Sequence, residues 1–179
     1  HYYGIDLSQD LIEAGYDKEL SPQTRAKLPR ENLAVTHQFD IPFDVPFDFV
    51  IAQSVFTHLP LNHLKLCLSK IHPTLKEGAA FYVSFFQAPD IETWTNAILQ
   101  QPGSITSFPD TDPYHYLPSQ LQDCAADLPY TFENIGDWHH PRGQSLARFT
   151  KRASANEIRS ETRAKNRDQA LSLKPGSDH

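Results

Sequence analysis

The chain has 179 residues, enough for one domain with a sizeable core and a polar tail. Its formal net charge of −6 and the lack of a basic stripe argue against a nucleic-acid partner, and no apolar run approaches a membrane span. The two cysteines, Cys67 and Cys124, lie outside any metal-type spacing, which favours a reduced, cytoplasmic setting. The histidines also lack tight ligand spacing, so we expect no metal site.

The first predicted element is a strand over Tyr2–Leu7, in which apolar residues lead to an acid, Asp6. A helix is predicted over Gln9–Gly15, with Ser8 as its N-cap. An acid at the carboxyl end of an early parallel strand can accept hydrogen bonds from both hydroxyls of a ribose. Asp6 is therefore predicted either to bind a ribose or to cap the helix that follows.

Two further strands flank a proline-containing loop. Residues 16–31 predict a loop or short helix, and a second strand is predicted over Leu33–Gln38. The stretch "FDIPFDVPFDF" predicts a loop, because Pro42 and Pro46 cannot donate ladder hydrogen bonds. The third strand is "FDFVIAQS", and its continuous apolar run predicts a parallel strand that is covered on both faces.

The clearest predicted helix begins near Pro60. Apolar residues recur along it at spacings of three and four, namely Leu61, Leu64, Leu68, Ile71 and Leu75. Pro73 predicts a kink or an end, and Gly78 is expected to stop the helix. A fourth strand, "AAFYVSFF", follows.

Predicted helices and strands also alternate over the remaining residues. Residues 87–118 form a long insertion with a helical patch around Ile91–Leu99, and such insertions often carry function. A helix over Ser119–Ala126 precedes two strands, "YTFENIGDW" and "SLARFTKR", which their short connection makes antiparallel. The pattern predicts an open α/β sheet over residues 1–152, followed by a frayed or disordered tail at 153–179.

Three stretches resemble class I S-adenosylmethionine-dependent methyltransferases. "YYGIDLSQDLIEAG" is similar to the family's second strand and helix, and "FDFVIAQSVFTHLPLNHLKLCLSKIHPTLKEGAAFYVSFF" is similar to its fourth strand, loop, helix and fifth strand. "GDWHHPRGQSLARFTKR" resembles the antiparallel strand pair that ends the family's sheet. The resemblance implies a Rossmann-like sheet that is mostly parallel, with a C-terminal antiparallel hairpin.

One part of the family pattern has no match. None of the seven glycines forms the Gly-x-Gly pattern of the family's cofactor loop. We therefore expect the first strand, loop and helix, of roughly 30 residues, to lie upstream of Tyr2 and to be missing from this chain. In the family the first strand lies between the second and the fourth, so two strand edges would be open. The part with the first two strands and the rest of the sheet would then pair directly, or another chain would fill the gap. The sequence does not decide whether the protein forms a homo-oligomer.

The resemblance also implies a site for S-adenosylmethionine at the strand ends. Asp6 would hold the ribose hydroxyls, and Asp40 would accept a hydrogen bond from the adenine amine unless it is an ordinary loop acid. The residues that would bind the cofactor are Asp6, Leu7, Phe39, Asp40, Ile41, Gln53 and Ser54.

His58 would lie close to the transferable methyl group. A neutral histidine there could act as a general base, or it could simply fix the loop before the helix. The predicted substrate-binding residues come from the insertion and the last turn, with ordinary packing or surface exposure as the alternative, and they are Tyr114, His115, Tyr116 and Arg142.

Three functions are compatible with the sequence. The first is methyl transfer to a small-molecule hydroxyl or amine by an incomplete catalytic domain, with no nucleic-acid or membrane partner. The second is a NAD-dependent oxidoreductase, which predicts a parallel final strand and a Tyr/Lys or His/Asp pair near the strand ends, neither of which the sequence reveals. The third is a degenerate Rossmann-like binding or interaction module without catalysis.

Overall fold

The computed structural model describes residues 1–152, and the predicted tail at 153–179 lies outside the described residues. The described part contains nine strands, which are β1 Gly4–Asp6, β2 Leu33–Val35, β3 Phe47–Ala52, β4 Leu75–Gln87, β5 Ile98–Gln100, β6 Ile105–Ser107, β7 His115–Tyr116, β8 Tyr130–Asp137 and β9 Ser145–Lys151. Its α-helices are α1 Gln9–Ala14, α2 Pro22–Arg25, α3 Leu61–Ile71, α4 Ile91–Trp94 and α5 Pro118–Cys124. None of these helices is long and apolar enough to cross a lipid bilayer.

The largest sheet has five strands in the order β3-β4-β9-β8, with β7 pairing the end of β4. Strands β3 and β7 run parallel to β4, whereas β9 runs antiparallel to both β4 and β8. The predicted α/β class with a C-terminal antiparallel hairpin is confirmed. The oxidoreductase hypothesis required a parallel final strand, and the antiparallel β9 contradicts that requirement.

Strands β1 and β2 form a separate parallel pair. Within residues 1–152, β1 pairs only with β2 and β3 is an edge strand that pairs only with β4. Tyr3, which precedes β1, packs against Phe47 of β3 with 5.6 Å between the ring centroids. The two halves of the molecule therefore touch through aromatic side chains, but they do not pair directly as strands.

The core lies where the five-stranded sheet packs against α3 and α5. Phe81 of β4 and Phe149 of β9 are fully buried in one cluster with Leu64 and Leu68 of α3 and with Leu121 of α5. The predicted apolar stripe is confirmed for Leu64, Leu68 and Ile71, which this cluster buries. Leu61 is only partly buried, and Leu75 is buried as the first residue of β4 rather than in the helix.

The second face of β3 is open. Val50 and Ala52 pack against the core, whereas Phe49 and Ile51 on the other face are 66% and 46% exposed. The prediction that β3 is covered on both faces is therefore wrong for the described residues. A continuous apolar run shows that both faces of a strand are suited to burial, but it does not show that a second layer of the protein covers the strand.

The end of α3 also differs from the prediction. The α-helix ends at Ile71 and a single 3₁₀ turn follows over His72–Thr74, because Pro73 has no N–H to continue the helical ladder. Gly78 does not stop the helix. It lies inside β4 with φ 74°, where the register between β3 and β4 shifts.

The insertion is folded rather than irregular. The predicted helical patch is confirmed only as α4, and Ile98 and Leu99 belong instead to the small antiparallel hairpin of β5 and β6. The loop of this hairpin packs closely on the turn between β8 and β9. At Gly143, where φ is 71°, an added Cβ would lie 2.0 Å from the carbonyl oxygen of Gln101, so only glycine allows this approach.

Candidate functional site

The carboxyl ends of β1, β2 and β3 are connected by local contacts. The Thr36 N–H, just after β2, donates to the Asp6 carbonyl oxygen at 2.9 Å. Phe39, further along the same segment, stacks on Phe56 in the loop after β3, with 6.1 Å between ring centroids. Open α/β sheets bind ligands outside the carboxyl ends of their strands, so this edge is the candidate functional site.

Asp6 holds the turn into α1 and keeps one carboxylate oxygen available. Its Oδ1 accepts a hydrogen bond from the Ser8 N–H at 2.8 Å. The N-cap of α1 is Ser8, whose Oγ accepts from the Leu11 N–H at 3.2 Å. Oδ2 has no hydrogen-bond partner within residues 1–152, and the residue is exposed. Asp6 therefore has an oxygen that can accept hydrogen bonds from a ligand.

An open groove of about 560 Å³ lies beside β1. Asp6, Leu11, Tyr16 and Leu28 are among its lining residues, and Asp6 is the one predicted cofactor residue among them. The Tyr16 hydroxyl donates to the Leu28 carbonyl oxygen at 3.1 Å across it. Asp6 therefore borders a groove that is lined mostly by apolar side chains.

The Asp40 carboxylate is engaged by a neighbouring helix. Its Oδ1 accepts a hydrogen bond from Lys70 Nζ of α3 at 2.6 Å, and both side chains are substantially exposed. An exposed ion pair contributes about 0–1 kcal/mol, so a ligand could replace Lys70 at small cost. Ile41, the next residue, packs against the core.

A buried polar cluster fixes the loop at the end of β3. Ser54 has φ 59°, and its N–H donates to Ser84 Oγ of β4 at 2.7 Å. The Ser84 hydroxyl donates to Gln144 Oε1 at 2.6 Å, and Gln144 Nε2 donates to Ser54 Oγ at 2.9 Å. Ser84 and Gln144 were not predicted, because a serine in an apolar strand and a glutamine in a turn carry no local signal. Leu7 and Gln53, two other predicted cofactor residues, are exposed.

His58 forms a hydrogen bond with an acid that no sequence pattern indicated. Its Nδ1 lies 2.7 Å from Oδ1 of Asp112, in the insertion. A His/Asp pair is therefore present near the strand ends, although none was recognised in the sequence. The two residues are 54 positions apart, so no spacing pattern could have indicated the contact.

The insertion also holds the backbone on both sides of His58. The Tyr114 N–H donates to the Thr57 carbonyl oxygen at 2.7 Å, and the Tyr116 hydroxyl donates to the Leu59 carbonyl oxygen at 2.9 Å. Tyr116 is buried, and burial raises the pKa of its hydroxyl. Tyr114 is partly buried and stacks on Tyr116 with 6.0 Å between centroids. The structure places Tyr116 as a support of the loop after β3.

His115 lies wholly inside the insertion. Its Nε2 is 2.9 Å from the Trp94 carbonyl oxygen, and its Nδ1 is 2.9 Å from Ser107 Oγ. A carbonyl oxygen only accepts, so Nε2 carries the proton and Nδ1 accepts from the Ser107 hydroxyl. Both ring nitrogens are satisfied and the side chain is fully buried, which leaves His115 no atom for a substrate.

Arg142 lies at the exposed turn between β8 and β9. Its backbone N–H donates to His140 Nδ1 at 3.2 Å, and no ion pair within residues 1–152 involves its guanidinium. Burial, and to a smaller degree the Arg142 charge, lower the pKa of His140, which stacks on Trp138. The guanidinium is therefore a free surface cation in the described structure.

The described residues contain no group of three or more His, Cys, Asp or Glu side chains that could hold a metal ion. Cys67 and Cys124 are both buried free thiols. Burial raises the pKa of the Cys67 thiol to about 12, so it stays protonated at neutral pH and is no nucleophile in the folded chain.

No family model and no curated protein matches the sequence. Solved structures do match. A SAM-dependent methyltransferase from Methanosarcina mazei is 17% identical with a TM-score of 0.53, over 85% of this chain and 82% of its own. One from Clostridium acetobutylicum is 12% identical with a TM-score of 0.60, over 84% of this chain and 75% of its own. The glycopeptide N-methyltransferase MtfA with sinefungin is 13% identical with a TM-score of 0.53, over 83% of this chain and 70% of its own. At these identities the likeness shows the fold, which is that of class I S-adenosylmethionine-dependent methyltransferases.

Proposed function

Because the chain has this fold, we propose that it carries most of the catalytic domain of an S-adenosylmethionine-dependent methyltransferase for small-molecule hydroxyl or amine acceptors. The observation that carries the proposal is the antiparallel β9 between β4 and β8 in an otherwise parallel sheet. MtfA was crystallised with sinefungin and with S-adenosylmethionine, and a similar O-methyltransferase from Planctomyces limnophilus was crystallised with apigenin. These neighbours support a nucleoside sulfonium as donor and a small acceptor.

The described residues fit the ribose end of this cofactor. The available oxygen of Asp6 can accept from the ribose hydroxyls, and Asp40 can accept from the adenine amine once Lys70 is displaced. Ser54 and its neighbour Gln53 would lie by the methionine part. S-adenosylmethionine supplies an electrophilic methyl group on a sulfonium, so the protein mainly has to align the acceptor and remove its proton.

We also infer that a further segment completes the site. Both β1 and β3 have an edge without a strand partner in the described part, and Phe49 and Ile51 leave one face of β3 open. A parallel strand between β1 and β3, followed by a glycine-rich loop and a helix, would pair both edges and cover apolar surface. Such a segment is expected upstream of Tyr2 and would supply the loop that the seven glycines of this chain do not form.

The test is calorimetric titration of S-adenosylhomocysteine into the 179-residue chain and into a version extended upstream through the expected glycine loop. We expect binding only by the extended version. In that version Asp6→Asn should weaken binding about 10- to 100-fold, because hydrogen bonds to a charged group contribute about 1.5–3 kcal/mol. Asp10→Asn, an exposed acid in the first turn of α1, is the matched control and should bind as the parent does.

Each result other than the expected one would contradict a different part of the proposal. If neither version binds, the chain has the fold without the function, and the interaction-module hypothesis takes its place. If the 179-residue chain binds as tightly as the extended one, the inferred segment is not needed. If Asp6→Asn and Asp10→Asn bind equally, the ribose site lies elsewhere.

A further inference from the structure

A side-chain hydrogen bond joins His58, in the loop after β3, to Asp112 of the insertion. Their side chains are 56% and 55% exposed, yet Nδ1 and Oδ1 lie 2.7 Å apart. Polar contacts between exposed side chains contribute little by themselves, because two flexible side chains lose entropy when they are held together. The pair therefore needs support from the backbones that carry it.

Both backbones provide that support. The His58 N–H donates to the Val55 carbonyl oxygen at 3.1 Å and closes a turn after β3. On the other side, the Phe108 N–H donates to the Pro113 carbonyl oxygen at 2.8 Å, next to Asp112. The bond from the Tyr114 N–H to Thr57 joins the two segments directly. Fixed main-chain positions reduce the entropy that the side chains must lose.

The contact defines which ring nitrogen of His58 carries the proton. An ionised carboxylate can only accept hydrogen bonds, so Nδ1 must donate to Asp112. In the neutral imidazole Nε2 then has a lone pair and no proton. No hydrogen-bond partner of Nε2 lies within residues 1–152 and the side chain is more than half exposed, so this lone pair is available to a ligand.

We propose that Asp112 is the positioning residue of a general-base pair in which His58 Nε2 removes the proton of a hydroxyl acceptor. The acceptor O–H bond breaks, its electron pair stays on oxygen, and the proton forms an N–H bond at Nε2. The resulting imidazolium is paired with the Asp112 carboxylate across Nδ1. The inference rests on the proposed function and names its acceptor class, because a hydroxyl needs deprotonation whereas a neutral amine already has a nucleophilic lone pair.

The first test is nitrogen-15 NMR of the histidine side chains in the 179-residue chain at about pH 8, where most imidazoles are neutral. His58 should show the Nδ1–H tautomer. Asp112→Ala should abolish it, and Asp112→Asn should keep it, because the amide oxygen can accept the same hydrogen bond. Asp110→Ala, an exposed acid of the same loop, is the matched control and should change nothing. An Nε2–H tautomer of His58 in the parent chain, or the same His58 tautomer in the parent and in all variants, would contradict the proposed role of Asp112.

A second measurement tests whether the pair lies at the reaction centre. In the upstream-extended version, saturation with S-adenosylhomocysteine should shift the His58 Nε2 resonance and leave that of the highly exposed His139 unchanged. Binding without a shift at His58 would contradict the base role while leaving the proposed function intact. No binding at all would refute the proposed function, and the base role with it, whatever the tautomer.

Discussion

Ser54 has a backbone conformation that residues other than glycine adopt rarely, with φ 59°. The residues around it explain why the conformation persists. Its N–H is satisfied by Ser84 and its hydroxyl by Gln144, and those two side chains are bound to each other. Strain of this kind is kept only where the surroundings fix it, and it is concentrated at functional sites. At the residue scale, a polar cluster therefore fixes the backbone at the end of β3.

Removing Gln144 should show how much this cluster contributes. Gln144→Ala would leave the fully buried Ser84 hydroxyl without its acceptor, which costs about 1–3 kcal/mol in the free energy of unfolding. Urea unfolding measures this loss. Gln122→Ala on the exposed side of α5 is the matched control and should change the free energy by no more than about 0.5 kcal/mol. Equal effects of the two substitutions would mean that the cluster is not stabilising.

Residue contacts of this type set the limit of sequence-based prediction here. The prediction of Ser8 as N-cap is confirmed, because its partner Leu11 is three residues away. The partners of His58 and Ser54 lie 54 and 30 or more positions away, so local pattern could not indicate them. Long-range polar pairs depend on the tertiary fold and become visible only with it.

At the scale of the elements, β3 is the strand whose surroundings differ most from the prediction. Periodicity correctly predicted the helix α3, and the short connection correctly predicted the antiparallel pair of β8 and β9, because both signals are local. The prediction failed at Gly78, since a glycine in a strand bulge and a glycine after a helix look alike in sequence. The open face of β3, with Phe49 and Ile51, could not be predicted from the strand itself, because its burial depends on whether a second layer of the protein covers it.

Substitution of Phe49 should therefore have different effects in the two versions of the protein. In the 179-residue chain, Phe49→Ala should change the free energy of unfolding by no more than about 0.5 kcal/mol, because the ring is already largely in water. In the upstream-extended version, the same substitution should cost about 1.5–3 kcal/mol if the segment covers the ring.

Phe81→Ala serves as the matched control. Phe81 is fully buried in the core and should cost about 3–5 kcal/mol in both versions, as measured by urea unfolding. If Phe49→Ala costs the same with and without the upstream segment, that segment does not cover β3.

At the scale of the whole molecule, the described chain is a five-stranded sheet with its own helices and a separate parallel pair beside it. The five-stranded sheet contains the hydrophobic core and the antiparallel strands β8 and β9, and it carries the loop with His58. The pair has Asp6 and the groove beside β1. A nucleoside bound at Asp6 and an acceptor bound near His58 would each use one of these two parts, so the proposed reaction needs both in a fixed relation.

The most direct test of the central proposal is equilibrium dialysis of the upstream-extended protein against radiolabelled S-adenosylhomocysteine and, in parallel, against NAD⁺. Both ligands have a ribose that Asp6 could hold, so the comparison asks which nucleotide the whole site fits. We expect saturable binding of S-adenosylhomocysteine and none of NAD⁺ at the same concentrations. Preferential binding of NAD⁺, or binding of neither ligand, would contradict the proposed methyltransferase function.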